Sequence, residues 1–432
     1  MSTHVETAPY LAAFAAQRRA AELPWLARHR RDALARFEQL GFPTRRDEAW
    51  RFTDLKPLQR AVYAPGEEGA RPTPDLAVWR YPGATHRIVL VNGRFAPELS
   101  QLGALPKGVW LASTVTTLAE RPEFIEAALD NTDTNGAQPF SALNAALFVD
   151  GFVLTLEPGV ALEIPVEIIH VGRSDERSFH LRNLVRLSAG SRATLIETFV
   201  GEGQYWTNAV GVISLGAGAA LRHVKIQDEA AAAIHFGQVR TTLAKDARYE
   251  SFVLTLGGRL TRHDSFVKFD GEDAACGLFG AYLLRGEQEA TNATFVDHAV
   301  PRCTTKEVFK GVIDERAHGV FLGRIAVRPQ AQKTNAHQLN KNLLLSPRAN
   351  VDTKPELEIL ADDVKCSHGA TVGDLDEEAL FYLEARGIPA PEARRMLIEA
   401  FAADAIEQIE DDVALRDFLA DHVRRWLGEG RK

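Results

Sequence analysis

The hydrophobic and polar positions of this chain change their pattern partway along the sequence. The first forty or so residues follow helical spacing, with Pro24 suited to a first helical position and Gly41 to a stop. Residues 86–150 mix one short apolar run with further helical stretches. From about Gly151 onward, apolar and polar residues alternate over short runs, which is typical of β-strands. The sequence therefore predicts a helical beginning followed by a long region of strands.

One sequence unit recurs through the strand-rich region: an apolar residue, a short turn of small or polar residues, and renewed apolar alternation. Its instances are LEPGVALEI, LSAGSRATL, LGAGAALRH, LAKDARYES, IDERAHGVF and LSPRANVDT, beginning at residues 156, 187, 215, 243, 313 and 345. The first four begin 31, 28 and 28 residues apart, and the interval from 243 to 313 fits two or three further units. A repeat of this period predicts a solenoid, and the abundance of Val, Ile, Leu, Phe and Thr makes its coils β-strands. A β-sandwich with regularly spaced hairpins is the alternative that the pattern leaves open.

Helical spacing returns after the strands. Asp374 is a candidate N-cap, with Glu377 three residues later. Two apolar stripes then predict amphipathic helices. The first contains Ile398, Phe401, Ala402, Ala405, Ile406 and Ile409, and the second contains Leu415, Phe418, Leu419, His422, Val423 and Trp426. We expect both helices to pack on the solenoid, and a groove on a partner protein is the alternative for the last one.

Together these patterns predict a mainly β protein with four segments. Residues 1–85 form an N-terminal helical domain with a Pro/Gly-rich linker at 65–82, and residues 86–150 form a mixed α/β lead-in. Residues 151–373 form the solenoid core, and residues 374–432 form a C-terminal helical domain.

Composition and charge narrow the class of protein. Of the 432 residues, 45% are apolar and 25% charged, as in ordinary globular proteins. The net charge of −8 argues against broad nucleic-acid affinity, so we expect no nucleic-acid partner. No apolar run is long enough to span a membrane, and the N-terminus lacks the features of a signal peptide. Three widely separated cysteines form no disulfide framework, which indicates the reducing cytoplasm as the location.

The negative charge is concentrated near the C-terminus. Residues 374–432 hold 15 acidic and 8 basic side chains. A solvated helix face explains this excess, and a basic partner surface is the more specific hypothesis. The candidate partner-binding residues are Glu407, Glu410, Asp411 and Asp412.

The motifs of several enzyme classes are missing from the sequence. It contains no P-loop, no C-x-x-C, no H-E-x-x-H and no G-x-S-x-G, and its Gly216-Ala-Gly218 run lacks the third glycine of a dinucleotide site. These absences exclude nucleotide binding through a P-loop, and we identify no candidate catalytic residue.

Two places in the sequence combine potential metal ligands. Cys366 and His368 stand two residues apart in an extended segment, so both side chains point to one face and can offer a thiolate and an imidazole to a metal. The alternative is a half-buried cysteine and a turn histidine ahead of Gly369. Asp297, His298 and Cys303 could also hold a metal, but a polar strand end is the favoured explanation.

Amide side chains surround His337. They are Gln332, Asn335, Gln338, Asn340 and Asn342. We expect such amides to form hydrogen-bonded ladders between coils, which is a structural role.

The segment that holds these residues resembles a known family. The run AQKTNAHQLNKNLLLSPRANVDTKPELEILADDVKCSHGATVGDLDEEALFYLEARGI is similar to the C-terminal core of the SufD family of the Suf iron–sulfur cluster assembly system. DEAWRFTDLKPL near the N-terminus also resembles that family. The resemblance implies a right-handed β-helix between two helical domains, which pairs with the paralogue SufB and binds the ATPase SufC through its C-terminal domain.

The resemblance also implies roles for single residues. The family's interface histidine, which is implicated in nascent-cluster formation, corresponds to His368, and a nearby family cysteine corresponds to Cys366. Where SufB carries an interface thiol, this chain has Pro347, Arg348 and Ala349, which favours SufD. A transient iron–sulfur cluster or iron would then be shared with the partner subunit and not bound by the isolated chain.

Three classes of function compete at this stage. The first is a non-catalytic scaffold subunit for iron–sulfur cluster assembly, with homodimer formation in the absence of SufB left open. The second is a β-solenoid carbohydrate-active enzyme. The third is a separate metalloenzyme built on Asp297, His298 and Cys303.

Overall fold

The computed structural model describes residues 4–16, 22–59, 63–66, 75–129 and 138–429. Residues 67–74 of the predicted linker lie outside this range. The helices in the described part are α1 (His4–Ala16), α2 (Pro24–Leu40), α3 (Lys56–Gln59), α4 (Thr114–Glu120), α5 (Pro122–Leu129), α6 (Pro139–Leu147), α7 (Glu377–Ala385), α8 (Ala390–Ile406) and α9 (Val413–Glu429). Short 3₁₀ helices lie at Glu48–Trp50, Ala77–Trp79 and Pro97–Leu99.

The strands fall into an irregular lead-in and a regular series. The lead-in strands are β1 (Ala64–Pro65), β2 (His86–Val91), β3 (Arg94–Phe95), β4 (Gln101–Leu102) and β5 (Val109–Ser113). The regular series comprises β6 (Phe152–Leu156), β7 (Val166–Arg173), β8 (Arg177–Leu187), β9 (Arg192–Glu202), β10 (Tyr205–Leu215), β11 (Ala220–Asp228), β12 (Ile234–Leu243), β13 (Arg248–Thr255), β14 (Leu260–Phe269), β15 (Ala275–Leu284), β16 (Glu289–His298), β17 (Thr304–Ile313), β18 (His318–Val327), β19 (Asn335–Leu344), β20 (Asn350–Ile359) and β21 (Lys365–Gly373).

The regular series winds into a β-solenoid, which confirms the predicted fold class. Even-numbered strands from β6 to β20 form one sheet, and odd-numbered strands from β7 to β21 form the other. Each strand from β8 to β19 pairs in parallel with the strands two before and two after it, so every coil adds one rung to both sheets. A β-sandwich built from hairpins would instead pair consecutive strands in antiparallel fashion.

The recurring sequence unit marks the corners of the solenoid. In the first four units, the third residue after the start adopts a left-handed conformation; these residues are Gly159, Gly190, Gly218 and Asp246. All four units follow a strand of the even sheet, whereas the units at 313 and 345 follow β17 and β19 of the odd sheet. The unit therefore marks both edges of the solenoid, and the interval from 243 to 313 spans two and a half coils.

Three apolar layers hold the fold together. The first fills the lumen between the two sheets, with Phe199, Phe269 and Phe321 among its buried members. The second packs the outer face of the even sheet against the N-terminal segment, for example Trp206 against Tyr10 and Phe140. The third packs the outer face of the odd sheet against α8 and α9. Both sheets are therefore covered on their outer faces over much of their length.

The C-terminal stripes are buried on the solenoid, as the sequence predicted. Ile398, Leu419 and Val423 belong to the layer that covers the odd sheet. The helix start was predicted two residues too early, because Asp376, not Asp374, is the N-cap of α7 and accepts hydrogen bonds from the backbone N–H groups of Glu378 and Ala379. None of the helices in the described ranges is both long enough and apolar enough to cross a membrane.

Candidate functional site

The last coil leaves two strand edges open. Within the described residues, β20 pairs only with β18 and β21 pairs only with β19. Each of these two strands therefore presents one row of backbone N–H and C=O groups that has no neighbouring strand, which is a template for pairing with another chain. Exposed apolar side chains lie on the same coil, among them Ile359, Leu360 and Val372.

The predicted ligands Cys366 and His368 lie on this terminal strand. Register pairs Cys366 with Ala336 and His368 with Gln338, and both of those β19 residues are buried in the lumen. Cys366 is half-buried and packs against the lumen core. His368 shares its side of the strand and is exposed at the open end. The structure thus brings the two predicted residues to one face at the end of the solenoid.

The two side chains form an incomplete ligand set. Burial raises the pKa of the Cys366 thiol, so the protonated form dominates at neutral pH and a metal must displace the proton. Across the described residues, no group of three or more His, Cys, Asp or Glu side chains is arranged to hold a metal ion. A thiol and an imidazole suit iron and iron–sulfur clusters, but four-coordinate iron needs further donors from elsewhere.

The second candidate set, Asp297, His298 and Cys303, does not converge. Asp297 and His298 are neighbours on β16 and point to opposite faces, with Asp297 bound to Arg328 at 2.9 Å. The His298 ring lies in the lumen, where Nε2 is 2.9 Å from Thr305 Oγ1 and burial lowers its pKa to about 3. Cys303 is buried in the lumen core. The three residues are used in packing and hydrogen bonding, so the hypothesis of a metal site here is wrong.

The amides near His337 divide by face. Gln338, Asn340 and Asn342 are buried and link coils. Asn340, for example, donates to the carbonyl of Phe309 on the neighbouring coil at 3.2 Å, and Asn342 accepts from the hydroxyl of Tyr282 two coils earlier. For these three the predicted ladder is confirmed. His337 faces the other way, and its Nδ1 lies 2.7 Å from Ser367 Oγ on the terminal strand.

The lumen contains a buried carboxyl group directly behind the open end. Glu307 is only 1% exposed, and its Oε2 accepts hydrogen bonds from Gln338 Nε2 and Thr294 Oγ1, both at 2.9 Å. Burial raises the pKa of Glu307 to about 7, although these two hydrogen bonds oppose the rise. The sequence analysis did not identify this residue.

A second polar cluster lies deeper in the lumen. Glu197 accepts hydrogen bonds from His223 Nε2 at 2.7 Å and His170 Nε2 at 3.2 Å. Burial alone would raise its pKa, but these hydrogen bonds hold the pKa well below its usual range. Lys225 lies nearby with its Nζ 2.8 Å from His235 Nε2, and burial lowers its pKa to about 8.

The sequence carried a signal for these lumenal groups, but an ambiguous one. In β11, the polar residues His223 and Lys225 alternate with Val224 and Ile226. Such alternation usually places polar residues toward solvent. Here the apolar residues face α8 and α9, so the polar residues face the lumen. Alternation identifies which residues share a face, but not which face is covered.

The predicted acidic residues lie in the loop between α8 and α9. Glu407, Glu410 and Asp411 are exposed. Asp412 differs from them, because its Oδ1 accepts a hydrogen bond from the backbone N–H of Leu415 at 2.9 Å at the start of α9. Asp412 thus has a structural role that its three neighbours lack.

Comparison with known proteins accounts for nearly the whole chain. Residues 6–168 match the model of the SufBD protein N-terminal region, and residues 170–401 match that of the SUF system FeS cluster assembly SufBD core domain. This chain belongs to the SufBD family. The SufBD chain is 32% identical to the iron–sulfur cluster assembly protein SufD of Escherichia coli over 399 residues, which are 90% of this chain and 91% of that protein. It is 31% identical over 397 residues to an iron–sulfur cluster assembly SufBD family protein of Synechocystis, covering 89% of this chain and 87% of that protein.

Family membership decides between the functions that the sequence left open. The predicted resemblance to SufD is confirmed, and this SufBD protein is a component of Suf-system iron–sulfur cluster assembly. That membership favours the assembly function over a carbohydrate-active enzyme.

Proposed function

We propose that this protein is a non-catalytic scaffold subunit that holds iron or a nascent iron–sulfur cluster, as cargo, between its open end and a SufB-like partner. The observation that carries the proposal is the position of Cys366 and His368 on one face of a terminal strand whose edge is unpaired. A shared site needs ligands at a surface that a second chain can cover, and two ligands from this chain leave room for the partner's own.

The two open edges support pairing between solenoids. β20 and β21 each offer a row of free backbone groups, and a partner with a similar end can extend both sheets at once. Pro355 lies within β20 and has no N–H to donate, which weakens indiscriminate pairing along that edge. A second copy of this chain could pair there when the partner is missing, so homodimerisation is an outcome to measure in the isolated protein.

The exposed acidic loop supports a second contact, with a SufC-like ATPase. Glu407, Glu410 and Asp411 offer negative charge beside the buried C-terminal helices, and their exposure leaves them free for a basic surface. In this proposal the scaffold supplies no nucleotide site, and the ATPase performs hydrolysis in the cytoplasm. The purified chain alone should therefore neither bind nor hydrolyse ATP.

The main test replaces His368 by Ala in cells that co-express the chain with its SufB-like and SufC-like partners. We expect the variant complex to form in normal yield but to lose its iron and sulfide, because the imidazole ligand is gone. Cys366→Ala should be milder, since a partner cysteine can supply thiolate. His337→Ala is the matched control, because His337 is an exposed histidine on the adjacent strand that faces away from the lumen. Full cluster content in His368→Ala would refute the site, and loss of the complex would make His368 a structural contact.

The ATPase contact is tested by reversing charge at Glu407, Glu410 and Asp411 together. We expect weaker co-purification of the ATPase and a stronger dependence on salt, with the fold retained. The control reverses three exposed acidic residues of α7, namely Glu377, Glu378 and Glu384. Asp412 is left unchanged because its loss removes a helix cap, which costs about 1 kcal/mol for reasons unrelated to docking. An intact complex at low and moderate salt would contradict this contact.

A further inference from the structure

The inner face of the last three odd-numbered strands carries a column of polar residues. Glu307 on β17, Gln338 on β19 and His368 on β21 are paired directly in register. Neighbouring strands in a sheet lie about 4.8 Å apart, so the three side chains occupy successive layers of the lumen. The column runs from a fully buried carboxyl group to the exposed imidazole of the candidate ligand.

Gln338 is the middle member, and its hydrogen bonding is one-sided. Its Nε2 donates to Glu307 Oε2 at 2.9 Å, while its buried Oε1 has no hydrogen-bond partner among the described residues. A buried carbonyl oxygen without a donor destabilises a structure, so such an atom calls for an explanation. One layer above it stands His368, whose ring also has no protein hydrogen-bond partner in the described part of the chain.

The facing sheet leaves room for the Gln338 side chain. Gly323 on β18 lies opposite, and a Cβ added there would overlap the carboxamide of Gln338. The amide therefore extends across the lumen beneath the last coil, and the absence of a side chain at residue 323 permits this. Glu307 fixes which way the amide points, because a carboxylate oxygen accepts from the NH₂ group and turns the carbonyl oxygen away.

We propose that Gln338, oriented by Glu307, is a positioning residue for His368: its Oε1 accepts the N–H of the imidazole and so determines which ring nitrogen is left to bind iron. Ligand histidines commonly donate their second ring N–H to an acceptor that fixes their tautomer and orientation. This inference rests on the proposed function for its purpose. The hydrogen bond is itself part of the proposal, because Gln338 and His368 are neighbours in register and neither Oε1 nor the imidazole has a hydrogen-bond partner among the described residues.

The lumen supplies a control with a similar Gln–Glu–Thr group, in which the Glu229 carboxyl also lies 2.7 Å from His235 Nδ1. Gln227 Nε2 donates to buried Glu229 Oε2 at 3.0 Å, Thr207 Oγ1 also donates to Glu229, and Gln227 Oε1 likewise lacks a protein partner among the described residues. This Gln–Glu–Thr group is on β10, β11 and the following corner, five strands away from β21 along the odd sheet. Substitution there disturbs lumen packing in the same way but leaves the layer beneath His368 intact.

The experiment measures the tautomer of His368 in the isolated, full-length chain. Ring ¹⁵N chemical shifts are recorded on protein labelled at histidine, and the His368 signals are identified by their loss in His368→Ala. We expect one dominant tautomer in the wild type and an approximately fivefold change in the tautomer ratio in Gln338→Leu, as a single hydrogen bond would give. Gln227→Leu should leave the ratio unchanged.

Two further variants separate orientation from simple packing. Glu307→Gln keeps an oxygen that accepts from Gln338, so it should preserve the His368 tautomer. Gly323→Ala keeps both polar groups but displaces the amide, so it should shift the ratio as Gln338→Leu does. An unchanged ratio in Gln338→Leu, or an equal shift in Gln227→Leu, would overturn the proposal.

The same variants are then compared in the co-expressed complex. Loss of such a supporting contact lowers metal retention about tenfold or more, so Gln338→Leu should reduce iron content while Gln227→Leu should not. Normal iron in Gln338→Leu, in a complex that needs His368, would overturn the positioning role. If His368→Ala itself keeps full iron, the proposed function fails while the tautomer result still tests the hydrogen bond.

Discussion

The buried carboxyl of Glu307 predicts a specific pH dependence of stability. Its pKa is about 7 in the folded chain, against 4.5 for an ordinary glutamate, because burial disfavours the charged form. The unfolded chain therefore releases this proton at lower pH than the folded chain does. The stability associated with the protonated carboxyl is retained in full below pH 4.5 and is lost as pH rises toward 7.

The substitution Glu307→Gln removes this titration while keeping the shape of the side chain. The difference between the two pKa values corresponds to about 3 kcal/mol, since one pKa unit is about 1.4 kcal/mol. We therefore expect Glu307→Gln to be more stable than the wild type by up to about 3 kcal/mol at pH 8. At pH 5 most of this advantage should disappear, because the folded wild-type carboxyl then carries a proton and resembles an amide.

The assay is urea unfolding of both proteins at pH 5 and pH 8, followed by circular dichroism. Glu384→Gln on the exposed side of α7 serves as the control and should show no comparable change between the two pH values. A stability difference between Glu307→Gln and wild type that is the same at both pH values would refute the reasoning. So would a loss of stability at pH 8, which would mean that the charged carboxylate has a favourable partner.

Two further predictions concern packing and thiol reactivity. Gly271→Ala should destabilise the chain by about 3 kcal/mol or more in urea unfolding, because the new Cβ would overlap the backbone of Lys245 on the neighbouring coil. The control Gly373→Ala should be neutral, because its Cβ would meet no atom. Equal effects of the two substitutions would contradict this account of coil stacking. Of the three cysteines, only Cys366 should react with a thiol reagent in the native chain, because Cys276 and Cys303 are buried. The reaction rate of Cys366 should keep rising above pH 9, because burial raises the pKa of its thiol. Rapid reaction of Cys276 without unfolding would contradict the lumen packing.

The sequence alone predicted the mainly β fold class and the location of the candidate site. A repeated turn with a period near 28 residues favours stacked coils, because each coil buries its inner face against its neighbours, although the pattern alone left a β-sandwich open. The pairing of Cys366 with His368 on one face follows from the two-residue period of a strand. The C-terminal stripes likewise predicted two packed helices, because helical spacing places all their apolar residues on one side.

Tertiary structure decided which face of each strand is buried and which side chains contact each other between coils. The unit at 313 looked like a continuation of the unit at 243, but it marks the opposite edge, since the same turn geometry serves both corners. In β11 the helices cover one face, and that covering turns Lys225 inward. Glu307 and Gln338 are 31 residues apart, and only the register of β17 against β19 brings them together beneath His368. Such contacts depend on long-range pairing, which local sequence patterns do not encode.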